Sequence, residues 1–192
     1  MRMNINQYIR HLKYILKVVF LEWPRGLDFT IPKANYYSVT PVGHIRDILS
    51  RFPISPQDNF LDVGCGKGQV LRYATEFPFG KIEGIEIDEE LYEIAKRNMS
   101  KLCLEKRVEI AHCDALKFEK YSAYNCYFFY TPVVRLVLDK IVKSLDTNPR
   151  TVRILYYNHK FPELFAVTGR LRCEDEIFDY SKGLWTRIYV SI

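Results

Sequence analysis

Apolar residues recur at helical spacing from Ile5 through Tyr8, Ile9, Leu12, Ile15, Leu16, Val19 and Phe20, with Arg10, Lys13 and Lys17 on the opposite side. The pattern predicts an amphipathic first helix. Its longest apolar run, Val18 to Leu21, falls far short of the roughly 20 residues of a membrane span or the roughly 7 to 15 of a signal-peptide core. Packing on the domain is the expected role, with peripheral membrane contact through residues 5–21 as the alternative. The breaker cluster Trp23-Pro24-Arg25-Gly26 and a polar, aromatic stretch from Asn35 to Pro41 follow. Thr40 before Pro41 reads as an N-cap with proline at the first helical position. That helix turns Ile45, Ile48, Leu49 and Phe52 inward and stops near Pro53, with His44 as an ordinary helix residue.

From Asn59 the period switches regularly between strand and helix. Strands are predicted at Asn59–Val63, 81–87, 108–113, Cys126–Tyr130 and 152–157. The intervening helices fall at 66–77, 89–100 and 132–145, the last with Val133, Leu136, Val137, Ile141 and Val142 on its apolar side. Strands separated by helices of this length pair in parallel through right-handed crossovers, which gives a doubly wound α/β sheet. A short helix at 162–168 leads to strands at 171–180 and 184–192 joined by Ser181-Lys182-Gly183, an antiparallel closing hairpin. The expectation is a mostly parallel seven-stranded sheet. With no repeat or low-complexity linker, residues 1–192 read as one domain, a helical segment at 1–55 packing on a core at 56–192.

The chain carries 28 Lys and Arg against 23 Asp and Glu, a net charge of +5 without a long basic run, so nucleic acid is not indicated as a partner. Its 14 Tyr and 12 Phe supply ring faces that attract cations. Five scattered cysteines without a C-x-x-C pair suggest neither a disulfide framework nor a metal site, and a reducing cytoplasm is the expected compartment.

The chemistry concentrates where the first strand ends. In Phe60-Leu61-Asp62-Val63-Gly64-Cys65-Gly66-Lys67-Gly68, an apolar strand runs into three alternate glycines ahead of a helix. Such a turn lets backbone pass close to a ligand where a Cβ would collide, next to unpaired helix N–H groups. The dinucleotide fingerprint G-x-G-x-x-G has a different spacing. A second strand, Lys81-Ile82-Glu83-Gly84-Ile85-Glu86-Ile87-Asp88, ends in an acid about 20 residues further on, where a ribose is expected to lie. Asp88 reads as the cap of the next helix. Third comes His112-Cys113-Asp114-Ala115 after another strand.

Asp62-x-Gly64-x-Gly66-x-Gly68, Glu86 and Asp114 together resemble the class I methyltransferases that use S-adenosylmethionine (SAM), over roughly residues 59–132. The resemblance implies a Rossmann-like fold and SAM as cofactor. It implies cofactor contacts from Asp62, Gly64, Gly66, Gly68, Ile87, Ala115 and Tyr130, ribose binding by Glu86, and acceptance of the adenine amine by Asp114 with neighbouring apolar groups holding the ring. The family presents the methyl group past the fourth strand, where Tyr130 is placed to line the site. Amine methyltransferases often carry Asn or Asp, Pro and an aromatic there; this chain has Thr131-Pro132-Val133, a drifted version. Asn35 to Pro41 resembles the Y-x-P entry of some lysine methyltransferases of this fold. A base is needed only where the acceptor arrives protonated, and the catalytic candidates are Tyr130 and His159, each with a competing role as core aromatic or ordinary surface residue. His112 reads as a strand-end residue. The expected acceptor is a protein side chain or a small molecule, with RNA and DNA lower. The alternatives are an inactive SAM-binding subunit and a nicotinamide oxidoreductase.

Overall fold

The computed structural model describes residues 26–29, 40–130 and 134–192. The expected first helix, most of the 35–41 stretch and Thr131-Pro132-Val133 lie outside the described residues. The elements are α1 (Val42–Leu49), β1 (Asn59–Val63), α2 (Gln69–Ala74), β2 (Lys81–Glu86), α3 (Glu89–Lys101), β3 (Glu109–His112), β4 (Cys126–Tyr130), α4 (Val134–Ser144), β5 (Arg153–Tyr157), α5 (Glu163–Ala166), β6 (Leu171–Asp179) and β7 (Leu184–Ser191). A 3-10 turn at Tyr121–Ala123, absent from the sequence reading, precedes β4.

The strands form one seven-stranded sheet in the order β3-β2-β1-β4-β5-β7-β6. β3, β2, β1, β4 and β5 pair in parallel, and β7 runs antiparallel to both β5 and β6. This is the doubly wound sheet with a closing hairpin that the alternation predicts. Parallel strands covered on both faces need apolar residues at both parities, and the central runs supply them. Phe60, Cys126, Phe128, Leu155 and Tyr157 join Ile45, Ile48, Leu71 and Met99 in one buried cluster. Leu61, Val63, Tyr127, Phe129, Ile154 and Tyr156 join Val137, Ile141 and Phe165 in the other.

Helix starts are where the structure departs from the sequence reading. Thr40 does not cap α1: Pro41 holds the N-cap position with extended backbone (ψ 137°), and no side chain caps the helix. Thr40 is instead buried, and its carbonyl accepts from Gln69 Nε2 at 2.6 Å. The helix ends at Leu49, and Phe52 reaches the core from the loop beyond it. His44 is a helix residue, as expected. It is buried, with Nε2 2.7 Å from Thr186 Oγ1 and its ring 5.1 Å from that of Tyr157. α2 begins at Gln69, three residues later than the motif suggests, because Gly66 and Gly68 take left-handed backbone. Asp88 does cap α3, accepting from the Leu91 N–H at 3.0 Å.

Gly84 lets the layers close. A Cβ there would stand 2.5 Å from Leu71 Cδ1 of α2 and 2.8 Å from Cys65 Sγ in the loop after β1. Gly84→Ala is therefore expected to destabilise the fold by about 1–3 kcal/mol. Thermal unfolding reads this as a fall of about 2–4 °C per kcal/mol for a chain of this size. An unchanged midpoint would show that the loop yields freely.

Candidate functional site

Strand parity and register put the candidate residues at the carboxyl ends of adjacent strands, where open α/β sheets bind ligands. Asp62 pairs with Gly84 and with Phe128, on the parity that carries Phe60, Glu86 and Tyr130 to one face. Gly64 N and Cys65 N both donate to Ile85 O, at 2.9 and 3.0 Å, which folds the glycine loop over the end of β2. The loop closes on itself through Gly68 N to Cys65 O at 2.9 Å.

Glu86 is 7% exposed, so it is not a solvated strand-end charge. Its Oε2 accepts from the Gly66 N–H at 2.7 Å, and its Oε1 from the Ile87 and Asp88 N–H groups at 2.9 and 3.0 Å. One carboxylate thus ties the middle of the glycine loop to the turn after β2. Of roughly four lone-pair positions on a carboxylate, one on Oε2 is left for a further donor.

Asp62 is buried at 2% exposure, and its Oδ2 has no hydrogen-bond partner among the described residues. Burial, reinforced by the Glu86 charge, raises its carboxyl well above the usual aspartate range. A buried carboxylate beside a second one is costly unless it is protonated or meets a cation. The sign of the resulting pH dependence follows. The folded state holds this proton more tightly than the unfolded chain, so the contribution is fully stabilising below the ordinary aspartate value near 4 and is lost as pH rises toward the raised folded value. Asp62→Asn in the ligand-free protein is expected to unfold at a higher temperature than the parent at pH 7, with the gap closing near pH 4. A variant less stable than the parent at pH 7 would contradict the assignment.

β2 and β3 bring the third motif to the same edge, since Glu86 pairs with His112 and Cys113 N donates to Glu86 O at 2.9 Å. Ile87 lies beyond β2 and is 64% exposed. Its carbonyl is 3.0 Å from His112 Nε2, and the His112 ring stacks on Tyr92 at 5.3 Å. Asp114 caps a turn, its Oδ1 accepting from the Leu116 N–H at 2.9 Å. The Ala115 carbonyl accepts from Tyr121 Oη at 2.9 Å, which pins the loop's far side.

The two catalytic candidates are not brought together. Tyr130 is half-buried and packs edge-on against Tyr157 at 5.2 Å, and Tyr157 donates to Asp179 Oδ2 at 2.6 Å. Burial first, then the Asp179 carboxylate, push the Tyr157 phenol up, so it stays a donor. His159 sits against the other cluster, its ring 6.3 Å from that of Tyr156 and its Nδ1 3.4 Å from Trp185 O. Burial and the nearby Arg187 cation lower its pKa, so it is neutral near pH 7, but on the side of the sheet away from Tyr130. Asn158 causes the separation: its left-handed backbone (φ 53°) turns the chain out of the β5 parity. Lys67, Asn98 and Asp28, around the outside of the glycine loop, were missed by sequence reasoning.

Comparison with known proteins agrees with the geometry. The family model described as a methyltransferase domain matches residues 60–148. A tRNA1(Val) (adenine(37)-N6)-methyltransferase of Vibrio campbellii is 35% identical over 65 residues, 33% of this chain and 27% of that protein. The match thus spans about a quarter of that relative's length. A probable cobalt-precorrin-6B C(15)-methyltransferase of Thermoplasma volcanium is 27% identical over 138 residues, 62% of this chain and 69% of that protein. The fold matches the crystal structure of an RNA methyltransferase from Salinibacter ruber in complex with S-adenosyl-L-homocysteine, with a TM-score of 0.64 at 18% identity, over 80% of this chain and 94% of that one. Residues 60–148, with their glycine loop, strand-end acid and parallel sheet, match the model of a methyltransferase domain, and the chain shares its fold with a methyltransferase crystallised with S-adenosyl-L-homocysteine.

Proposed function

We propose that this chain transfers a methyl group from SAM to a protein side chain or a small molecule, with the donor held at the ends of β1, β2 and β3. The carrying observation is the pair of buried acids around the glycine loop: Glu86, anchored on three backbone N–H groups, and Asp62, with an orphaned oxygen. Glu86 keeps a lone pair for a ribose hydroxyl. Asp62 suits the ammonium of the donor's methionine part, which would relieve its burial cost. Gly64 and Gly66 would keep the backbone open to the ligand, while Gly68 lets the loop pack against α3. Ile87 and Ala115 would flank the adenine, and Asp114 would accept from its exocyclic amine through the oxygen that does not cap the turn.

When bound, SAM supplies an electrophilic sulfonium methyl for in-line displacement. The protein's share of such a reaction is proximity, alignment and exclusion of water. Tyr130, with its ring set by Tyr157, would line the acceptor side and offer a phenol to the incoming nucleophile. His159, directed away from that side, is the weaker candidate base.

Surface electrostatics support a protein or small-molecule acceptor over nucleic acid. Several basic side chains are already matched with acids, in the pairs Arg46 with Glu76, Lys81 with Glu109, Arg170 with Asp146 and Arg187 with Glu176. Paired cations contribute little to phosphate binding. Incubation with methyl-tritiated SAM and fractionated protein, metabolite and RNA pools tests the reading. Label in protein or metabolites is expected; label confined to RNA would replace the acceptor class, and no label despite SAM binding would favour an inactive SAM-binding subunit.

A further inference from the structure

The glycine loop is held from both sides, and only the inner grip, Glu86 on Gly66, belongs to the donor site described above. The outer grip starts at Lys67, between Gly66 and Gly68. Its side chain is 4% exposed and its Nζ lies 2.7 Å from Asp28 Oδ1. A buried ammonium needs such a partner. Asp28 is carried on a short stretch whose neighbours Leu27 and Phe29 are both buried in the core cluster, so its position is fixed by packing.

Asn98 of α3 joins the two segments. It is 1% exposed, and its Nδ2 donates to Lys67 O at 3.0 Å and to Asp28 O at 2.8 Å, while its Oδ1 accepts from Asp28 N at 2.9 Å. Both donors and one acceptor position of a single amide are thus spent on stitching residue 28 to residue 67. Gly68 meets the same helix, since a Cβ there would lie 3.1 Å from Met99 Cε and 3.4 Å from Ala95 Cβ.

We propose that Asp28, Lys67 and Asn98 form a clamp that holds the glycine loop in its donor-binding shape, making Asp28 and Asn98 positioning residues for SAM although neither lies on the donor face. The inference rests on the reading of this loop as the SAM cradle. Physically, Gly66 and Lys67 are consecutive: the amide that Glu86 captures from inside is set by the residue that Asp28 and Asn98 capture from outside. Releasing Lys67 lets the loop sample other shapes, and the donor then binds only the fraction that remains competent. Linkage requires the reverse effect, so bound donor must tighten the clamp.

Two measurements on the full chain test this. In calorimetric titration with SAM, Asp28→Asn is expected to raise Kd about tenfold, which corresponds to about 1.4 kcal/mol. Asp28→Glu, which keeps the charge, should recover most of the affinity. Asn98→Ala should lose more, where it folds. In hydrogen exchange, the Asp28 amide of the parent should slow progressively with SAM concentration, and more than the amide of the distant strand residue Thr186. A purely structural staple would lower the unfolding temperature of Asp28→Asn with Kd and the Asp28 exchange response unchanged, and that result overturns the proposal. A parent that does not bind SAM at all overturns the cofactor reading itself, a result distinguishable because no variant need be made to see it.

Discussion

Glu86→Ala is expected to weaken SAM binding by roughly a hundredfold, about 2.7 kcal/mol. Two losses add. The ribose loses a charge-assisted acceptor, and the N–H groups of Gly66, Ile87 and Asp88 lose the carboxylate that now satisfies them. An unsatisfied buried donor costs about 1–3 kcal/mol, less where water enters the space left by the side chain. The variant should therefore also unfold at a lower temperature. Glu86→Gln, which retains one carbonyl oxygen, should fall between. Calorimetry on the three proteins decides the matter: equal affinities would remove Glu86 from the donor site.

Gly66→Val is expected to abolish saturable SAM binding while the sheet still forms. Gly66 has φ 53°, where a β-branched residue is strained, and its N–H is the one that Glu86 captures at 2.7 Å. On the reading of this loop as the donor cradle, the added methyl groups would also crowd the backbone against which SAM is proposed to lie. Gly183 provides the control, since it too has positive φ, 69°, but a Cβ there meets nothing within 4 Å. Gly183→Val should carry a comparable backbone cost and bind SAM like the parent. Circular dichroism confirms that both variants fold; binding by a folded Gly66→Val protein would contradict the placement of the donor.

Much of this fold is legible from local pattern. β1 and β4 fall on the residues predicted, because each is a dense apolar run needed on both faces of a central parallel strand and is bounded by polar or breaker residues. The closing hairpin is equally plain from Ser181-Lys182-Gly183 between two alternating segments. Helix starts are less legible, since Thr40-Pro41 and the glycine loop both carry strong start signals. The observed starts at Val42 and Gln69 depend on ψ at Pro41 and φ at Gly68, which composition does not dictate.

The candidate site divides in the same way. The glycine loop, Glu86 and the 112–115 segment are found from spacing, because each sits at the end of a strand and the strands are neighbours. The pairing of Asp28 with Lys67 has no local signature, being an ion pair across 39 positions made possible by tertiary packing. His159 shows a different case. It shares the parity of Tyr157, so a continued strand would have kept it beside Tyr130. The left-handed backbone at Asn158, a residue type that tolerates it, sends the imidazole to Tyr156 instead. Asn in that position was the available signal.

Calorimetric titration of the parent protein with SAM, S-adenosylhomocysteine and NADH in parallel tests the central claim most directly. Saturable binding of the first two, no heat with NADH, and loss of binding in Glu86→Ala are the expected results. Saturable NADH binding in place of SAM, or no binding of either adenosyl compound, would contradict the assignment of the glycine loop and Glu86 to a methyl donor.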